Sequence, residues 1–574
     1  MNWWETMTYN PLAPIRPLAW AGLLAILGPV AALAAEPVKL AGSARFDLRA
    51  DASAGKIDEA HVVSGAGSID RPNWLTGREQ AAVYSVNFPV SRLAWREFAV
   101  RFTPEGTGNV AVTLMGPWEQ ASPGVLYRQE VLWGDFKVDG ARLGSAGFEP
   151  PAAKSTWQGG GLIVPRSTES PAPEGTHVAR TWHNATLAAN LAVTAGTPVT
   201  LRVHAMAVTP AGYREMKPIA GHDTPAHHAA LKFRRGANLG NGLEVAPGQN
   251  WGVTYTAEDV RHIKAEGFDH IRIPIGWHHY AGPAPSYTLR PEIFRKVDFF
   301  VDAAAREKLN VLINIHHFDD FTTDPKGQTA KFLAIWEQIA AHYAKAPDGL
   351  AFELLNEPKD AATTEVMNPI FARAVKTIRR TNPGRTIVYG PGRWNSIEEL
   401  PGLMLPDDDH NLIATVHCYD PSRFTHQGAS WTGNGPDAKL TGIVFPGPPR
   451  TPLEPDSGLG LSQGFLSWLR AYNTEPTGSN PCGPEVMDLA VSRIKEWSDR
   501  YGRPVYLGEF GAFTAADPKS RANYYGLFRE RLDAAHIGWA IWDWHAGFDY
   551  WDTRTNAPRP GMHEALFGRA KARR

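Results

Sequence analysis

Two glutamates follow apolar runs of the sequence and could work as a pair. Glu357 follows the run 351–355, and Pro358 ends strand pairing directly after it because proline has no backbone N–H to donate. Glu509 follows the similar run 504–507. In a barrel of parallel strands, side chains at the C-terminal ends of the strands face the catalytic mouth. Two carboxyl groups held about 5–5.5 Å apart there can break a glycosidic bond with retention, one as nucleophile and the other as general acid/base.

The chain after residue 230 alternates between strand and helix patterns, which predicts an α/β fold of the (β/α)8 TIM-barrel type over 231–570. Eight strands are expected, at 231–239, 269–275, 311–316, 351–355, 386–389, 412–417, 504–507 and 538–544. Helices are expected between them, at 256–266, 291–309, 331–343, 369–380, 485–501 and 518–535. Only a short segment, 396–400, occupies the fifth helical position. Thr256 with Asp259 predicts a capping box, Gly267 a helix end and Pro291 a first helical turn.

The segment 421–484, between the sixth and seventh strands, is too long for an ordinary connection. It carries the aromatic residues Trp431, Phe445 and Trp468. Because it follows the sixth strand on the catalytic side, we expect it to wall one end of the cleft and to restrict which subsites are accessible.

Residues 1–35 have the form of a signal peptide. Arg16 precedes the apolar run 18–33, which ends in small residues. A membrane anchor is the alternative, but glycine and proline interrupt the run, so cleavage is favoured. Further along, residues 216–230 are rich in proline, glycine and histidine. We expect them to form a linker with solvated histidines rather than a metal site.

Residues 36–215 predict an accessory domain, an antiparallel β-sandwich. Segments with alternating hydrophobicity at 97–102, 109–114 and 199–204 are separated by turn residues. Four tryptophans could either fill the sandwich core or line a sugar-binding face: Trp118, Trp133, Trp157 and Trp182. Core packing is the favoured interpretation, and the carbohydrate-binding role rests on analogy alone.

The composition excludes several classes of partner. A net charge of -1 and a pI of about 7.1 indicate no basic surface for nucleic acid or for an anionic membrane. The two cysteines, Cys418 and Cys482, are too few for a disulfide scaffold, and whether they form one bridge stays open. Because no other ligands for zinc lie near them in the sequence, we expect both to be structural.

Polar residues gather at the predicted ends of six barrel strands. They are Arg272 in strand two, His316 and His317 at strand three, Asn356 and Glu357 at strand four, His417 and Tyr419 at strand six, Glu509 at strand seven, and Trp542 and Trp544 in strand eight. Each residue alone has a structural explanation, such as a buried ion pair or a core tryptophan. Their convergence on one mouth favours catalysis, because buried ionisable groups are costly without a purpose.

This ordered set of residues resembles glycoside hydrolase family 5, the cellulase family A of the clan of retaining β-glycosidases. The resemblance spans about 231–565. It rests on Gly236–Asn241, Arg272, Ile315–His317, Leu355–Pro358, His417–Tyr419, Leu507–Gly511 and Trp542. One departure is Cys418, which stands where an aromatic residue is commoner; strand alternation places it towards the helices, away from the chemistry.

The resemblance implies that Glu509 is the nucleophile and Glu357 the general acid/base. Arg272 and Tyr419 would be oriented on Glu509. The neighbouring Arg272 is expected to lower the pKa of Glu509, and the nearby anion to keep Glu357 protonated. No metal and no cofactor is required.

The other residues of the set are implied to bind substrate. Asn356 would hydrogen-bond the 2-hydroxyl group of the sugar being cleaved. His316 and His417 would position the acid/base and the substrate, and Trp542 would form the floor of the cleaved sugar's subsite. Strand parity favours His316 over the adjacent His317. In strand eight, Trp544 stays an alternative to Trp542 for the floor of the subsite.

The function expected is that of a secreted or periplasmic retaining endo-β-glycanase acting on β-glucan, foremost β-1,4-glucan. An exo-acting β-glucosidase, a β-1,3-glucanase, a mannanase and a transglycosylase are open alternatives within the same chemistry. A non-catalytic polysaccharide-binding protein is the alternative of another class, and the presence of both glutamates counts against it. The only partner expected is a β-linked saccharide, with no nucleic acid, no membrane after signal cleavage, and a monomeric state.

Overall fold

The computed structural model describes residues 39, 42–122, 125–145, 147–166, 174–209, 215–433, 435–456 and 458–568. The signal peptide expected at 1–35 lies outside these residues. Within them, no helix has both the length and the apolar character needed to cross a membrane.

The N-terminal domain is the predicted sandwich, built from two antiparallel sheets of six strands each. In spatial order, the first sheet contains Gln158–Gly159, Leu187–Val193, Gly108–Met115, Gly42–Ala50, Val83–Val90 and Ser68–Asp70. The second sheet contains Leu162–Pro165, His177–Thr181, Val131–Asp139, Val199–Ala207, Arg96–Pro104 and Ile57–Ser64. Two short helices, Gly77–Ala81 and Ala152–Thr156, and a small hairpin of Gln120–Ser122 with Val125–Leu126 complete the domain. Strands such as Gly42–Ala50 alternate buried and half-exposed residues, so each sheet presents one apolar face to the shared core.

The four tryptophans of the sandwich divide between core and surface. Trp133 is fully buried, and its indole N–H donates to Thr181 Oγ1 at 2.8 Å. Trp157 is also buried, Trp182 is half-buried, and Trp118 is 58% exposed. Core packing therefore explains two of the four, and Trp118 is the one that stands in solvent.

The second domain is the predicted barrel, closed by eight parallel strands. In order, they are Arg235–Asn238, His270–Ile273, Asn310–Asn314, Leu350–Glu353, Ile387–Tyr389, Leu412–His417, Val505–Phe510 and Gly538–Ile541. The main helical segments that follow them are Ala257–Glu266, Pro291–Arg306, Pro325–His342, Thr364–Arg379, the 3-10 helix Ile397–Gly402, Pro484–Tyr501, Pro518–Ala534 and Met562–Phe567. The strands are buried on both faces, as expected when helices cover a parallel sheet.

Local signals placed most helix ends correctly. The Thr256 and Asp259 side chains form the capping box, and Gly267 ends that helix in the left-handed region at φ 107°. The fourth helix is longer than expected, because Thr363 caps it and Pro369 lies inside it. A short 3-10 helix occupies the fifth position, as the weak pattern there indicated.

The segment 216–230 differs from the expected solvated linker. Its last part forms the helix Pro225–Ala230, capped by Thr224. Ala226 and Ala229 are buried in a cluster with inward-facing strand residues such as Leu312 and Tyr506. The helix therefore closes the N-terminal end of the barrel, a role that its short, alanine-rich sequence did not indicate.

The long segment 421–484 braces the two domains against each other. Its main helix, Gln463–Thr474, packs on the sandwich strands Ile57–Ser64 and Ser68–Asp70. Directly after this helix, Glu475 accepts hydrogen bonds from His61 Nε2 at 2.9 Å and from Arg101 Nη1 at 3.0 Å. The expectation that this segment only walls the cleft missed this packing.

A second group of contacts joins the domains at the barrel helices. Arg92 of the sandwich donates to the Pro401 carbonyl at 2.9 Å and to the Tyr501 hydroxyl at 2.8 Å. Arg96 forms an ion pair with Glu496. The two cysteines do not contribute a crosslink, because Cys418 and Cys482 are both free and buried.

The Glu475→Ala substitution tests the brace. It leaves the buried His61 Nε2 without its acceptor, and an unsatisfied buried group costs about 1–3 kcal/mol. We expect a lower melting temperature by scanning calorimetry, whereas Glu79→Ala, at an exposed helix position of the sandwich, should change little. Equal melting temperatures for the two variants would contradict a stabilising role for this contact.

Candidate active site

The two glutamates meet at the C-terminal end of the barrel. Glu509 lies in the seventh strand, and Glu357 follows the fourth strand in a left-handed conformation at φ 47°. One carboxylate oxygen of each glutamate and one ring nitrogen of His417 all lie within 4.8 Å of one another. This spacing suits a retaining pair, whose carboxyl groups stand about 5–5.5 Å apart.

Glu509 is held by two hydrogen-bond donors. Arg272 Nη1 donates to Oε1 at 2.8 Å, and the Tyr419 hydroxyl donates to Oε2 at 2.7 Å. The carboxylate is buried, with 4% of the residue exposed. Both partners stabilise the charged form and fix the direction of its oxygens.

Arg272 is fully buried and is paired on every side. Its Nε and Nη2 donate to the two oxygens of Glu353 at 2.6 and 2.7 Å. Nη1 also donates to Asn238 Oδ1, and Nη2 to Asn356 Oδ1, both at 2.8 Å. With the bond to Glu509, all five guanidinium donors are used. Although burial alone would lower the pKa of Arg272, the charges of Glu353 and Glu509 raise it, so it stays a cation.

Glu353 is a site residue that the sequence analysis missed. It is fully buried in the fourth strand and pairs with Arg272 in the bidentate geometry typical of guanidinium and carboxylate. A charged residue inside an otherwise apolar strand is itself a signal, because an unpaired buried carboxylate is rarely tolerated. Asn238, which anchors the first strand to Arg272, lies within the motif Gly236–Asn241, but no role was predicted for it.

Asn356, which follows the fourth strand, is held by Arg272. Its Oδ1 accepts from Arg272, which leaves its Nδ2 group as a donor. The residue is 3% exposed, so the orientation of the amide is set by the arginine before any ligand arrives.

His417 connects the two glutamates. Its Nδ1 lies 2.8 Å from Glu357 Oε1 and 3.7 Å from Glu509 Oε2. Burial lowers the pKa of His417 to about 4, so the ring is neutral near pH 7. On its other side, Asn395 Nδ2 lies 3.4 Å from Nε2 and fixes the ring.

Burial dominates the ionisation of both glutamates. It raises the pKa of Glu357 to about 7, against the lowering effect of Arg272 and Lys359. It also raises the pKa of Glu509, although His417 and Arg272 act in the opposite direction. The expectation that Arg272 lowers the pKa of Glu509 therefore describes one contribution, and burial outweighs it.

Trp542 and His316 form one wall of the site. Their rings stack in parallel at 5.7 Å, and Trp542 is half-exposed. The hydrogen-bond partner of His316 is Asn314, at 3.2 Å, so the histidine supports the tryptophan rather than contacting a carboxylate directly. Gly240 is required beside this wall, because a Cβ there would lie 2.8 Å from the Trp542 ring.

The competing tryptophan belongs to the core. Trp544 is fully buried, stacks between Tyr550 and Trp551, and donates to Asp259 at 3.1 Å. Strand parity alone could not separate it from Trp542, since both lie on the same side of an extended strand.

Three consecutive residues after the fifth strand are also near the site. Arg393, Trp394 and Asn395 all have positive φ, between 52° and 59°, a costly conformation for residues other than glycine. Trp394 is 54% exposed, and its backbone N–H donates to the Pro358 carbonyl at 3.0 Å. The turn therefore contacts the backbone directly after Glu357 and places the Asn395 amide against His417.

Glu357, His417 and Glu509 are spaced as metal ligands could be. Their lone pairs already serve other partners, since Glu509 accepts from Arg272 and Tyr419 while Glu357 contacts His417. Two carboxylates with these partners can perform the displacement themselves.

A closed (β/α)8 barrel with two facing carboxyl groups at its C-terminal mouth defines the class as glycoside hydrolase. The sequence profile of the family described as Cellulase (glycosyl hydrolase family 5) matches residues 234–547, and the chain belongs to this family.

Individual relatives agree with that assignment. Endoglucanase H of Acetivibrio thermocellus is 30% identical over 315 residues, covering 54% of this chain and 29% of that protein. Endoglucanase 3 of Fibrobacter succinogenes is 29% identical over 345 residues, covering 56% of this chain and 51% of that protein. Both relatives are thus much longer than the region they share with this chain.

Solved structures match the barrel as a whole. Endoglucanase Cel5A from Thermotoga maritima has 32% sequence identity and a TM-score of 0.50, covering 60% of this chain and 100% of that one. The cellulose synthase subunit Z from Clostridioides difficile has 29% identity and a TM-score of 0.51, covering 58% of this chain and 99% of that one.

The pH dependence of the reaction should report on Glu357. Lys359 lowers the pKa of this group, so Lys359→Met should raise it and keep the acid protonated to higher pH. The alkaline limb of kcat/KM, near pH 7 in the native protein, should then move upwards by a few tenths of a unit at low ionic strength. Lys376→Met, on an exposed helix position, is the matched control. A limb that is unmoved or moves down would contradict the assignment.

Proposed function

We propose that the protein is a retaining endo-β-glycanase that hydrolyses β-glucan, foremost β-1,4-glucan, with Glu509 as nucleophile and Glu357 as general acid/base. The observation that carries the proposal is that one oxygen of each carboxyl group lies within 4.8 Å of the other, and that each group has its own set of partners. The partners of the two groups differ. Glu509 accepts hydrogen bonds from the Arg272 guanidinium and the Tyr419 hydroxyl, whereas Glu357 faces the neutral imidazole of His417.

In the first step, the Glu509 carboxylate attacks the anomeric carbon. The proton of Glu357 passes to the leaving glycosidic oxygen, and a covalent glycosyl-enzyme forms as the bond to that oxygen breaks. The raised pKa of Glu357, about 7, keeps the proton available at neutral pH. Arg272 and Tyr419 favour the anion of Glu509, against the effect of burial, and aim its oxygen at the carbon.

In the second step, Glu357 acts as the base. Once Glu509 is esterified, its negative charge is gone, and the proton-poor Glu357 can take a proton from water. The water attacks the anomeric carbon and releases Glu509, which restores both groups. Asn356 Nδ2 donates to the sugar's 2-hydroxyl group throughout, and the ring of Trp542 supports the sugar.

The preference for β-1,4-glucan rests on relatives. The proteins matched by sequence include endoglucanases and a cellodextrinase, and the Thermotoga maritima Cel5A structures were obtained with cellobiose and with mannotriose. Mannan therefore stays a second candidate substrate. β-1,3-Glucan and exo action are further candidates that the shape of the cleft would decide.

We further propose that the N-terminal segment directs the protein to the periplasm or out of the cell, where it acts as a monomer. The sandwich is proposed to contribute to glycan contact through an exposed aromatic ring, Trp118, which is set edge-on against His183 at 4.8 Å. A non-catalytic sugar-binding protein is less consistent with a fully equipped carboxylate pair.

The roles of the two glutamates can be separated by the leaving group. Glu357→Ala should slow natural glycan hydrolysis by about 10²–10⁴-fold, the usual contribution of general acid–base catalysis. Formation of the glycosyl-enzyme from a dinitrophenyl glycoside should be largely preserved, because that leaving group needs no proton. Glu509→Ala should abolish both reactions. If Glu357→Ala were equally inactive on both substrates, its assignment as the acid would be wrong.

The products released from four polysaccharides identify the substrate. We expect carboxymethyl-cellulose or barley β-glucan to lose viscosity quickly and to give mixed oligosaccharides, with no such loss for Glu509→Ala. Laminarin and mannan, run in parallel, test the β-1,3 and mannan alternatives. Release of only glucose or cellobiose would replace endo action by exo action, and inactivity on all four would refute the substrate class.

A further inference from the structure

A cavity of about 870 Å³ lies between the sandwich and the catalytic rim of the barrel. Ser43, Ser68 and Asn87, from the first sheet of the sandwich, contribute to one wall. Arg393 and Asp420, from the loops after the fifth and sixth barrel strands, contribute to the other. The volume falls in the range of about 300–1,000 Å³ that ligand pockets occupy, and domain interfaces are a common place for them.

Two residues that line the cavity are close in sequence to residues of the active site. Asp420 directly follows Tyr419, whose hydroxyl donates to Glu509. Arg393 precedes Asn395 by two residues, and the Asn395 amide lies 3.4 Å from His417 Nε2. Two residues span at most about 7 Å of backbone, so on two separate loops the cavity lining comes within about that distance of residues that contact the catalytic groups.

The cavity lies beside the acid/base rather than behind the nucleophile. Trp394, next to the cavity residue Arg393, donates its backbone N–H to the carbonyl of Pro358, which follows Glu357. In the proposed function, Glu357 delivers its proton to the leaving oxygen. A saccharide chain attached to that oxygen would have to pass the exposed Trp394 to reach the cavity.

The lining suits a neutral polyhydroxyl chain. Amide, hydroxyl, guanidinium and carboxylate groups are all present, and sugar hydroxyls can both donate and accept hydrogen bonds. Acidic side chains outnumber basic ones around the cavity, which disfavours an acidic polysaccharide. The sandwich wall also lies outside residues 234–547, so the matched family region supplies only half of this cavity.

We propose that this interdomain cavity binds the leaving-group half of the β-glucan chain, so that the sandwich forms part of the substrate cleft. The proposal rests on the proposed function, which identifies the ligand and the direction of the chain. It gives the sandwich a role in determining where long chains are cut.

Two variants on the sandwich wall test the proposal without touching the catalytic groups. Ser68→Trp fills the cavity from an exposed strand position, and Asn87→Ala removes an amide. Asn190→Trp and Asn190→Ala, at an exposed position of the same sheet outside the cavity, are the matched controls. The substrates are reducing-end-labelled β-1,4-gluco-oligosaccharides of increasing length and nitrophenyl β-cellobioside, whose small leaving group does not reach the cavity.

We expect kcat/KM on the longest oligosaccharides to fall about threefold to tenfold in the cavity variants, the effect of one or two hydrogen bonds. The position of cleavage should shift, while nitrophenyl β-cellobioside turnover and both control variants stay unchanged. Equal losses on the nitrophenyl substrate, or no loss on any substrate, would overturn the proposal.

A binding measurement separates this proposal from the proposed function. Calorimetric titration of a β-1,4-gluco-hexaose into Glu509→Ala should give an affinity that Ser68→Trp reduces about threefold to tenfold. An unchanged affinity would overturn the cavity assignment even for an active enzyme. A native protein inactive on every glucan would instead refute the proposed function, and the titration would still decide the cavity.

Discussion

The buried guanidinium of Arg272 is the interaction on which the active site depends. Its five donors reach Glu353, Asn238, Asn356 and Glu509, which come from the first, fourth and seventh strands or directly follow them. Removing one partner of a buried charge pair typically costs about 3–5 kcal/mol, because the other charge is left uncompensated. Glu353 therefore supplies the second negative charge that lets Arg272 stay buried while one of its donors holds Glu509, the proposed nucleophile.

The two carboxyl groups differ in what faces them, which supports the different roles proposed for them. Glu509 meets the cation Arg272 and the Tyr419 hydroxyl, both of which favour its anion. Glu357 meets His417, whose pKa is lowered to about 4 by burial, so this neighbour offers no charge to stabilise a carboxylate near pH 7. The proton consequently resides on Glu357, where its pKa of about 7 suits both donation and later acceptance. The hydrogen-bond partners of the two groups are therefore a source of this asymmetry, in addition to the burial that raises both pKa values.

Sequence patterns could predict the residues at the strand ends, because each predicted strand is an apolar run that ends at a polar residue. Caps could also be predicted, as for Thr256 and Gly267, because they depend on local backbone chemistry. Contacts between distant segments could not be predicted. The partner of Glu475 is His61, 414 residues away, and the strained turn at Trp394 is set by its neighbours rather than by its own preferences. Because contacts between distant segments could not be predicted, residues 225–230 were interpreted as part of a linker, although they close the N-terminal end of the barrel.

The accessory sandwich acts on the active site through the long segment after the sixth strand. A connection of that length without packing of its own would be mobile, and Tyr419 stands at its start. The segment is fixed instead: its helix Gln463–Thr474 packs on the sandwich, and Arg423 lies over the Phe465 ring at 4.3 Å and donates to the Gly464 carbonyl. Arg423 is four residues from Tyr419, so ordering the helix restricts the loop that delivers the tyrosine hydroxyl to Glu509. Because the loop is ordered in advance, substrate binding does not have to supply the free energy of ordering it, which is the general effect of preorganisation. The sandwich and Glu353 thus have a similar structural effect, because each helps to fix a group that contacts Glu509: the sandwich through the loop of Tyr419, and Glu353 through Arg272.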